Sequence, residues 1–536
     1  MSFSIRIAAL LLAGWLQAIS LAWPFALELP LLGIAQGQAL WWLQLLSLAV
    51  LARALLTCTT VWQAAGQGWL FSVAWLCGTM WWLFISMHTY GGLPAWLAVL
   101  AVLVLGSCLA LFYTLICMLF RHLAGVNRAY TAILFAACWL LAELARGTWL
   151  TGFPWGAAGY AHVQGPLAAL APWVGVYGMS FVSAFVAMAG VQLFAGRAFS
   201  KRKAVRYQGF AVIAVLICAA WFSVSDKGTA LAMPADPVLP TPLDITLLQG
   251  NIPQDEKFQP GTGVATALTW YAEQLQSAKT SLVITPETAL PMLPQQLPPA
   301  YWARLRQLFS SGQQAALIGI PMGNRSEGYS NAVLGLKPGA GAHPALVPPY
   351  RYDKHHLVPF GEFIPPFARW FIDLMHIPLG TFRRGDLNPP SFEWQGQRLG
   401  LNICYEDLFG EELAQRFGNP ATAPTILVNV SNIAWFGNSV AIDQHLNIAR
   451  LRSMELARPS IRATNTGATV IIDARGQVTQ SLERHTRGAL VGQVQGSTSI
   501  TPYAWWVARF WLWPLWLLGL GIVGLTGWLK TRQTRR

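Results

Sequence analysis

One cysteine, Cys404, lies outside the apolar runs of the chain and is the candidate nucleophile. The other six of the seven cysteines lie within or at the edge of apolar runs, where a cysteine packs as a small hydrophobic residue. Cys404 follows the sequence Leu-Asn-Ile at 401–403, near the end of a predicted strand. A free thiol has a pKa of about 8.5, so it needs a base and a nearby cation to become a nucleophile at neutral pH.

Glu287 and Lys354 are residue types that can activate such a thiol. Glu287 follows the apolar run at 282–285 through a proline, and Lys354 lies in a loop at 351–365 that contains prolines and glycine. A carboxylate in a dry pocket can take the thiol proton and return it to a leaving group. A fixed ammonium can stabilise the thiolate and the oxyanion of a tetrahedral intermediate. Together the three residues predict acyl transfer through a covalent thioester.

Each of these residues also has a structural interpretation. A cysteine at the end of a strand commonly packs in a core, a glutamate beside proline commonly caps a turn, and a loop lysine is commonly solvated. His355 and His356 are adjacent, so they cannot share one helix face as the histidines of HExxH do, and we favour a structural or lipid-headgroup role for them. No CxxC spacing occurs around Cys404. The sequence therefore predicts no metal, no cofactor and no disulfide.

The segment at 240–500 has the composition of a globular protein in which short β-rich runs alternate with amphipathic stretches. The predicted strands, each with the polar turn that ends it, are 244–252, 281–290, 315–321, 400–408, 425–433 and 468–473, and the predicted helices are 265–278 and 444–460. This alternation predicts α/β layers around a central core. Polar residues at strand ends are where sites on layered α/β folds are usually built.

The rest of the chain has the composition of a membrane protein. Hydrophobic residues make up 54% of the chain and charged ones 11%, against roughly 25% charged in soluble proteins. A membrane span needs about 20 predominantly apolar residues. About eight such runs occur, near 6–25, 37–57, 67–88, 93–119, 130–146, 168–195, 208–225 and 505–528.

The net charge of +13 arises from basic residues at the ends of apolar runs rather than from a basic stripe with interleaved aromatic residues, which excludes nucleic acid as a partner. The positive-inside rule then predicts that both termini are cytoplasmic and that the globular part lies on the other side of the membrane. The predicted domains are a membrane domain, a globular domain, a final span and a basic tail, at 1–226, 240–500, 505–528 and 529–536.

Several segments carry a resemblance to known proteins. They are LLQGNIPQ (247–254), TPETALP (285–291), DKHHLVPFGEFIP (353–365), NICYEDLFG (402–410), NIAWFGNS (432–439), QHLNIARLRSMELARP (444–459), RATNTGAT (462–469) and, in the membrane part, LTGFPWGAAGY (150–160). The globular segments resemble the carbon–nitrogen hydrolase (nitrilase) superfamily, whose members carry a Glu–Lys–Cys triad in this order on an αββα sandwich. With the membrane spans included, the whole chain resembles the bacterial apolipoprotein N-acyltransferases.

The resemblance implies roles for four residues. Glu287 would be the general base, Lys354 would stabilise the transition state and Cys404 would be the nucleophile. Glu362 would be a second essential carboxylate that orients Lys354 or stabilises the oxyanion. No metal or cofactor is implied.

The resemblance also implies supporting and substrate-binding residues. Tyr405 and Glu406 would shape the pocket of the nucleophile. For these two residues and for Glu362, the alternative is a role in packing behind the site. Phe258, Trp435 and Phe436 would bind substrate. Phe258 stands where the best-known members have tryptophan, and position 438 holds Asn where Asp is common.

The implied reaction moves an acyl chain from a membrane phospholipid to the α-amino group of the diacylglyceryl-cysteine that begins an apolipoprotein. The implied location is the bacterial inner membrane, with a periplasmic catalytic domain. One alternative is a membrane-bound amidase of the nitrilase type that hydrolyses a small amide. Another is a transporter or receptor, although the spans hold few ionisable residues apart from Arg53 and Glu143.

Overall fold

The computed structural model describes residues 3–32, 34–124, 128–195, 242–339, 349–364 and 382–534. The chain divides into two compact units. A helical unit contains Met1–Pro234, Ser439–Leu451 and Thr501–Arg536, and an α/β unit contains Ala235–Asn438 and Arg452–Ile500. The predicted span at 208–225 lies outside the described residues.

The helical unit is built from apolar helices. Its longer helices are Phe3–Ile19, Trp41–Leu56, Val61–Met80, Ala95–Leu123, Arg128–Thr148, Ala171–Ala195, Pro502–Phe510 and Trp513–Thr534. Among the described residues, three helices are long and apolar enough to cross a membrane, or up to five if each bent pair of helices counts as one span. The protein is therefore a membrane protein with several apolar helices of membrane length.

Two ionisable residues of helix Arg128–Thr148 are buried among these apolar helices. Arg146, which is 1% exposed, donates from Nη1 to the main-chain oxygens of Phe153 and Trp155, at 2.7 Å each. Glu143 accepts from the main-chain N–H of Ala158 at 2.8 Å. Backbone without helical hydrogen bonds is tolerated at membrane depth only where protein groups satisfy it. The two side chains therefore fix the loop that follows this helix.

The first part of helix Ala441–Leu456 also belongs to the helical unit. Its Gln444 accepts hydrogen bonds at Oε1 from the indole nitrogens of Trp82 and Trp155, at 3.1 and 2.8 Å. Hydrogen bonds buried among apolar side chains favour one arrangement of their helices, because an unpaired amide there would cost free energy.

The strands of the α/β unit form two six-stranded sheets within the described residues. In chain order they are β1 Leu243–Gln249, β2 Leu282–Ile284, β3 Ala315–Asn324, β4 Gly328–Leu336, β5 Tyr350–Asp353, β6 Phe392–Trp394, β7 Gln397–Ile403, β8 Ile426–Ser431, β9 Ser460–Thr464, β10 Val470–Ile472, β11 Val478–Ser481 and β12 Gly488–Val494. The first sheet has the order β12-β1-β2-β3-β4-β5 and the second β11-β10-β9-β8-β7-β6. Strands β1 to β3 are mutually parallel, as are β7 to β9.

The two sheets pack face to face, and helices Ala265–Ser277 and Pro299–Ser311 cover the outer face of the first sheet. Strand β3 shows why its sequence is apolar throughout. Leu317 points into the core between the sheets, whereas its neighbour Ile318 points into the core beneath the helices. Strands buried on both faces are continuous apolar runs rather than alternating ones. The predicted layered α/β architecture is confirmed as a sandwich.

Some predicted boundaries were wrong for local backbone reasons. Of the predicted strand and polar turn at 281–290, the strand is only Leu282–Ile284, and the turn that follows contains Thr288 with a φ of 50°. The predicted helix at 444–460 ends at Leu456, because Ala457 adopts a φ of 49° and the next residues form β9. A left-handed residue ends a helix since it cannot continue the right-handed path.

We expect Arg146→Met to lower the apparent Tm in detergent by about 5 °C or more, because buried groups left without a donor cost about 1–3 kcal/mol each. Differential scanning fluorimetry checks this. Arg53→Met is the matched control, since Arg53 is an exposed arginine of another apolar helix. Equal Tm values for the two variants would contradict the role of the buried guanidinium.

Candidate active site

Cys404 lies at a sharp turn directly after β7. The residue has a φ of 51° and begins the 3-10 turn Cys404–Leu408. Its carbonyl oxygen accepts a bond from Asn429 Nδ2 at 3.3 Å, from the neighbouring parallel strand β8. A non-glycine residue in this conformation costs about 1–3 kcal/mol, and such residues cluster at functional sites. The turn places the half-buried Cys404 at the end of the sheet, packed against the core between the sheets.

Glu287 lies after β2, and both of its carboxylate oxygens are occupied by donors. Oε1 accepts from Asn331 Nδ2 at 2.6 Å, and Oε2 accepts from the main-chain N–H of Asn432 at 2.7 Å. The residue is 9% exposed. Asn331 belongs to β4 of the first sheet, whereas Asn432 follows β8 of the second. The carboxylate therefore lies where strand ends of both sheets meet.

Lys354 follows β5 and is held between two carboxylates. Its Nζ lies 3.6 Å from Glu287 Oε1 and 3.0 Å from Glu362 Oε1, and the residue is 1% exposed. Burial opposes the charge of the ammonium, but Glu362 and then Glu287 raise the pKa of Lys354 above its ordinary value. The site therefore contains a permanent cation.

Asn331 links the two carboxylates and was missed by the sequence analysis. Its Nδ2 donates to Glu362 Oε1 at 2.9 Å as well as to Glu287. The other oxygen of Glu362 accepts from the main-chain N–H of Val358 at 2.8 Å. The available signal was the polar pair Ser330 and Asn331, which directly precedes the apolar run of β4.

Glu406 connects the loop after Lys354 to the turn of the nucleophile. Its carboxylate accepts from the main-chain N–H groups of His355, His356 and Ile403, at 2.7, 3.1 and 2.6 Å. It also accepts from the hydroxyl of Tyr352 at 2.7 Å. These donors belong to separate segments of the chain, so Glu406 holds the cation loop against the nucleophile turn.

The environment of Cys404 keeps its thiol protonated. Burial and the Glu287 carboxylate raise the pKa of Cys404 to about 12, against the opposing effect of Lys354. The ring of the next residue, Tyr405, packs edge-on against that of Phe409, with the ring centroids 5.3 Å apart. A thiol with this pKa becomes nucleophilic only if a base removes its proton during the attack.

The three predicted substrate-binding residues lie on segments adjoining this site in sequence. Phe258 is 54% exposed on the loop after β1, and Trp435 is 40% exposed. Phe436 is half-buried and ends the 3-10 turn that follows Asn432. The loop of Phe258 also contains a buried lysine, Lys257, which the sequence analysis did not single out.

The adjacent histidines contact protein atoms through one ring nitrogen each. His355 Nδ1 lies 2.8 Å from the carbonyl oxygen of Gly385, and His356 Nδ1 lies 2.9 Å from Glu412 Oε1. Within the ranges described, no group of three or more His, Cys, Asp or Glu side chains could hold a metal ion. These contacts join the loop of Lys354 to the segments of Gly385 and Glu412.

Comparison with known sequences identifies both parts of the chain. A family profile for the apolipoprotein N-acyltransferase N-terminal domain matches residues 9–189, and a carbon–nitrogen hydrolase profile matches residues 244–503. An apolipoprotein N-acyltransferase of Verminephrobacter eiseniae is 53% identical over 519 residues, covering 93% of this chain and 92% of that protein. A relative of the same name from Ralstonia nicotianae is 42% identical, over 86% of this chain and 85% of its own.

Among solved structures, a mutant Nesterenkonia AN1 amidase from the nitrilase superfamily is 17% identical, with a TM-score of 0.37, and covers 53% of this chain and 100% of its own. The two profiles together span most of the described chain, and the relatives cover nearly all of it. The chain is an acyltransferase and belongs to the apolipoprotein N-acyltransferase family.

Proposed function

We propose that this enzyme takes an acyl chain from a membrane phospholipid, holds it as a thioester on Cys404, and transfers it to the α-amino group of a lipid-modified cysteine that begins an apolipoprotein. The name of its relatives supports the acceptor. The position of Lys354 Nζ between Glu287 and Glu362 supports the thioester, because it places a fixed cation next to a base. The thiol of Cys404 has a raised pKa and needs both groups to become a nucleophile.

In the first half-reaction, Glu287 accepts the thiol proton of Cys404 while the sulfur attacks the ester carbonyl carbon. The carbonyl oxygen becomes an oxyanion, and the ammonium of Lys354 stabilises it. The intermediate collapses with loss of the lysophospholipid alkoxide, which takes the proton from Glu287. The products are a lysophospholipid and an acyl thioester, and the base is again ionised.

In the second half-reaction, the neutral α-amine of the acceptor attacks the thioester carbonyl carbon. Glu287 takes a proton from the attacking nitrogen and passes it to the departing sulfur of Cys404. The products are an amide and the free thiol, so the enzyme returns to its starting state. Glu362 keeps Lys354 aligned through both halves, and Glu406 keeps the loop of Lys354 against the nucleophile turn.

The proposed reaction gives a physical reason for a membrane domain in the same chain. Donor and acceptor are both anchored in the bilayer, so a site at its surface meets them at high effective concentration and in a restricted orientation. Acyl chains at the site also exclude water, which would hydrolyse the thioester. Exposed aromatic side chains such as Phe258, Phe360 and Trp435 suit contact with acyl chains.

We further infer a membrane domain at 1–226, a periplasmic catalytic domain at 240–500, a final span at 505–528 and a cytoplasmic tail at 529–536, with about eight spans in the inner membrane. Helix Ala95–Leu123 has Arg121 and His122 in its last turn, and helix Trp513–Thr534 has Arg532 there. Basic residues at the ends of membrane helices are typical of the cytoplasmic side of the membrane, and this supports cytoplasmic termini.

Intact-protein mass spectrometry after incubation with phospholipid tests the thioester. We expect a mass increase of one acyl chain in the wild type and in Cys108→Ala, a matched change at an exposed cysteine, but none in Cys404→Ala. Hydroxylamine or a diacylated lipopeptide removes the adduct. A folded wild type that gains no adduct, but hydrolyses small amides without phospholipid, would instead establish the amidase alternative.

Asn331→Ala tests the polar bridge between the carboxylates. We expect the rate of thioester formation to fall by about tenfold or more, because small displacements of catalytic groups can cost up to ~100-fold. Asn419→Ala is the control, since Asn419 is exposed and bonds only within its own loop. If Asn331→Ala keeps the wild-type rate, the bridge does not position Glu287.

Reporter fusions test the orientation. We expect an alkaline phosphatase, which folds only outside the cytoplasm, to be active when inserted at the β6–β7 turn beside Gly396 and inactive when fused after Arg536. A cytoplasmic fluorescent reporter should give the opposite pattern. Phosphatase activity at the C-terminus would contradict the proposed topology.

A further inference from the structure

A second ammonium, that of Lys257, is buried beside Glu287, and the proposed reaction makes no use of it. Lys257 is 3% exposed, and its Nζ donates to the main-chain oxygen of Glu287 at 3.1 Å. Glu287 is thus held at two places, at its carboxylate by Lys354 and at its carbonyl by Lys257.

The position of Lys257 is energetically unfavourable for a purely structural residue. No ion pair within 4.0 Å joins Lys257 to a carboxylate in the part of the chain that the structure describes. Burial lowers the pKa of Lys257 to about 8, against the opposing effects of Glu287 and Cys404. Replacing such a buried charge with an apolar side chain is often neutral or stabilising. Stability alone therefore does not explain a lysine here.

The carbonyl that Lys257 contacts belongs to a strained segment. The peptide of this carbonyl joins Glu287 to Thr288, which has a φ of 50°. Pro286 on the other side lies against β3, where a Cβ at Gly319 would come within 2.0 Å of the Pro286 oxygen. A bond from Lys257 opposes rotation of the strained peptide, and such rotation would displace the Glu287 side chain.

Lys257 also belongs to a loop that is anchored at its start. Asn465, at the end of β9, accepts from the N–H of Ile252 at 3.0 Å and donates to its carbonyl at 2.9 Å. The residue after Lys257 is the exposed Phe258. The loop is therefore fixed by Asn465 near its beginning and by Lys257 next to the aromatic side chain.

We propose that Lys257 is a positioning residue for acyl transfer, which holds the backbone of Glu287 and ties it to the loop that presents Phe258 to the acyl donor. This inference rests on the proposed roles of Glu287 and Cys404. Lys257 is assigned no direct contact with the reacting atoms, so it affects the rate through Glu287 and through the loop that presents Phe258.

The test compares Lys257→Met and Lys257→Arg with the wild-type, full-length enzyme in detergent with added phospholipid, by the initial rate of thioester formation. We expect Lys257→Met to keep or raise the apparent Tm yet to form the thioester about tenfold or more slowly, because a misplaced base loses rate without loss of folding. Lys257→Arg should recover at least part of the rate. Lys337→Met is the matched control, since exposed Lys337 also donates to a main-chain carbonyl, that of Glu393.

The pH dependence of the rate of thioester formation distinguishes this role from packing, because a lysine that only packs would not change it. If the ammonium form is required, the wild-type rate falls as the pH rises through about 8, whereas Lys257→Arg holds its rate there because a guanidinium does not titrate in this range. A wild-type rate in Lys257→Met, or an arginine variant no faster than the methionine variant, would overturn the inference. Absence of any thioester in the wild type would instead refute the proposed function itself.

Discussion

The ammonium of Lys354 is the constraint around which the site is built. An ammonium that is 1% exposed would cost several kcal/mol without counter-charges. Glu287 and Glu362 supply those charges, and their carboxylates need further donors. Asn331 donates to Oε1 of both, and the N–H groups of Asn432 and Val358 donate to the second oxygens of Glu287 and Glu362. Since these residues come from separate strand ends, the site exists only when the two sheets are correctly packed.

The nucleophile depends on a different kind of support, which acts on the backbone. Cys404 occupies a left-handed conformation that its own side chain disfavours, so its neighbours must stabilise the turn. Asn429 bonds the Cys404 carbonyl, and Glu406 bonds the preceding N–H of Ile403. The same Glu406 carboxylate bonds the loop after Lys354, so it ties the turn of Cys404 to that loop.

Residue type and position at strand ends made Glu287, Lys354 and Cys404 candidates, but each also had an ordinary structural interpretation. Their expected roles came from the resemblance to the nitrilase superfamily. Asn331 and Lys257 could not be found in this way. Their importance comes from partners that are distant in sequence, and no local pattern states which partner a buried amide or ammonium will meet. The layered α/β fold could be predicted, because the apolar periodicity that indicates strands and helices is local in sequence. Helix and strand ends were less so, because they depend on single left-handed residues.

A thiol with a pKa near 12 has consequences for how acyl transfer is controlled. A thiol whose pKa is raised resists oxidation and unproductive attack, because both require the thiolate. In the proposed reaction, the thiolate forms as Glu287 takes the proton, and the same carboxylate later accepts a proton from the incoming amine. One base would then serve both acyl transfers, first onto the sulfur and then off it, so its position matters in both. The bonds to its carboxylate from Asn331 and the N–H of Asn432, and the bond to its carbonyl from Lys257, restrict that position.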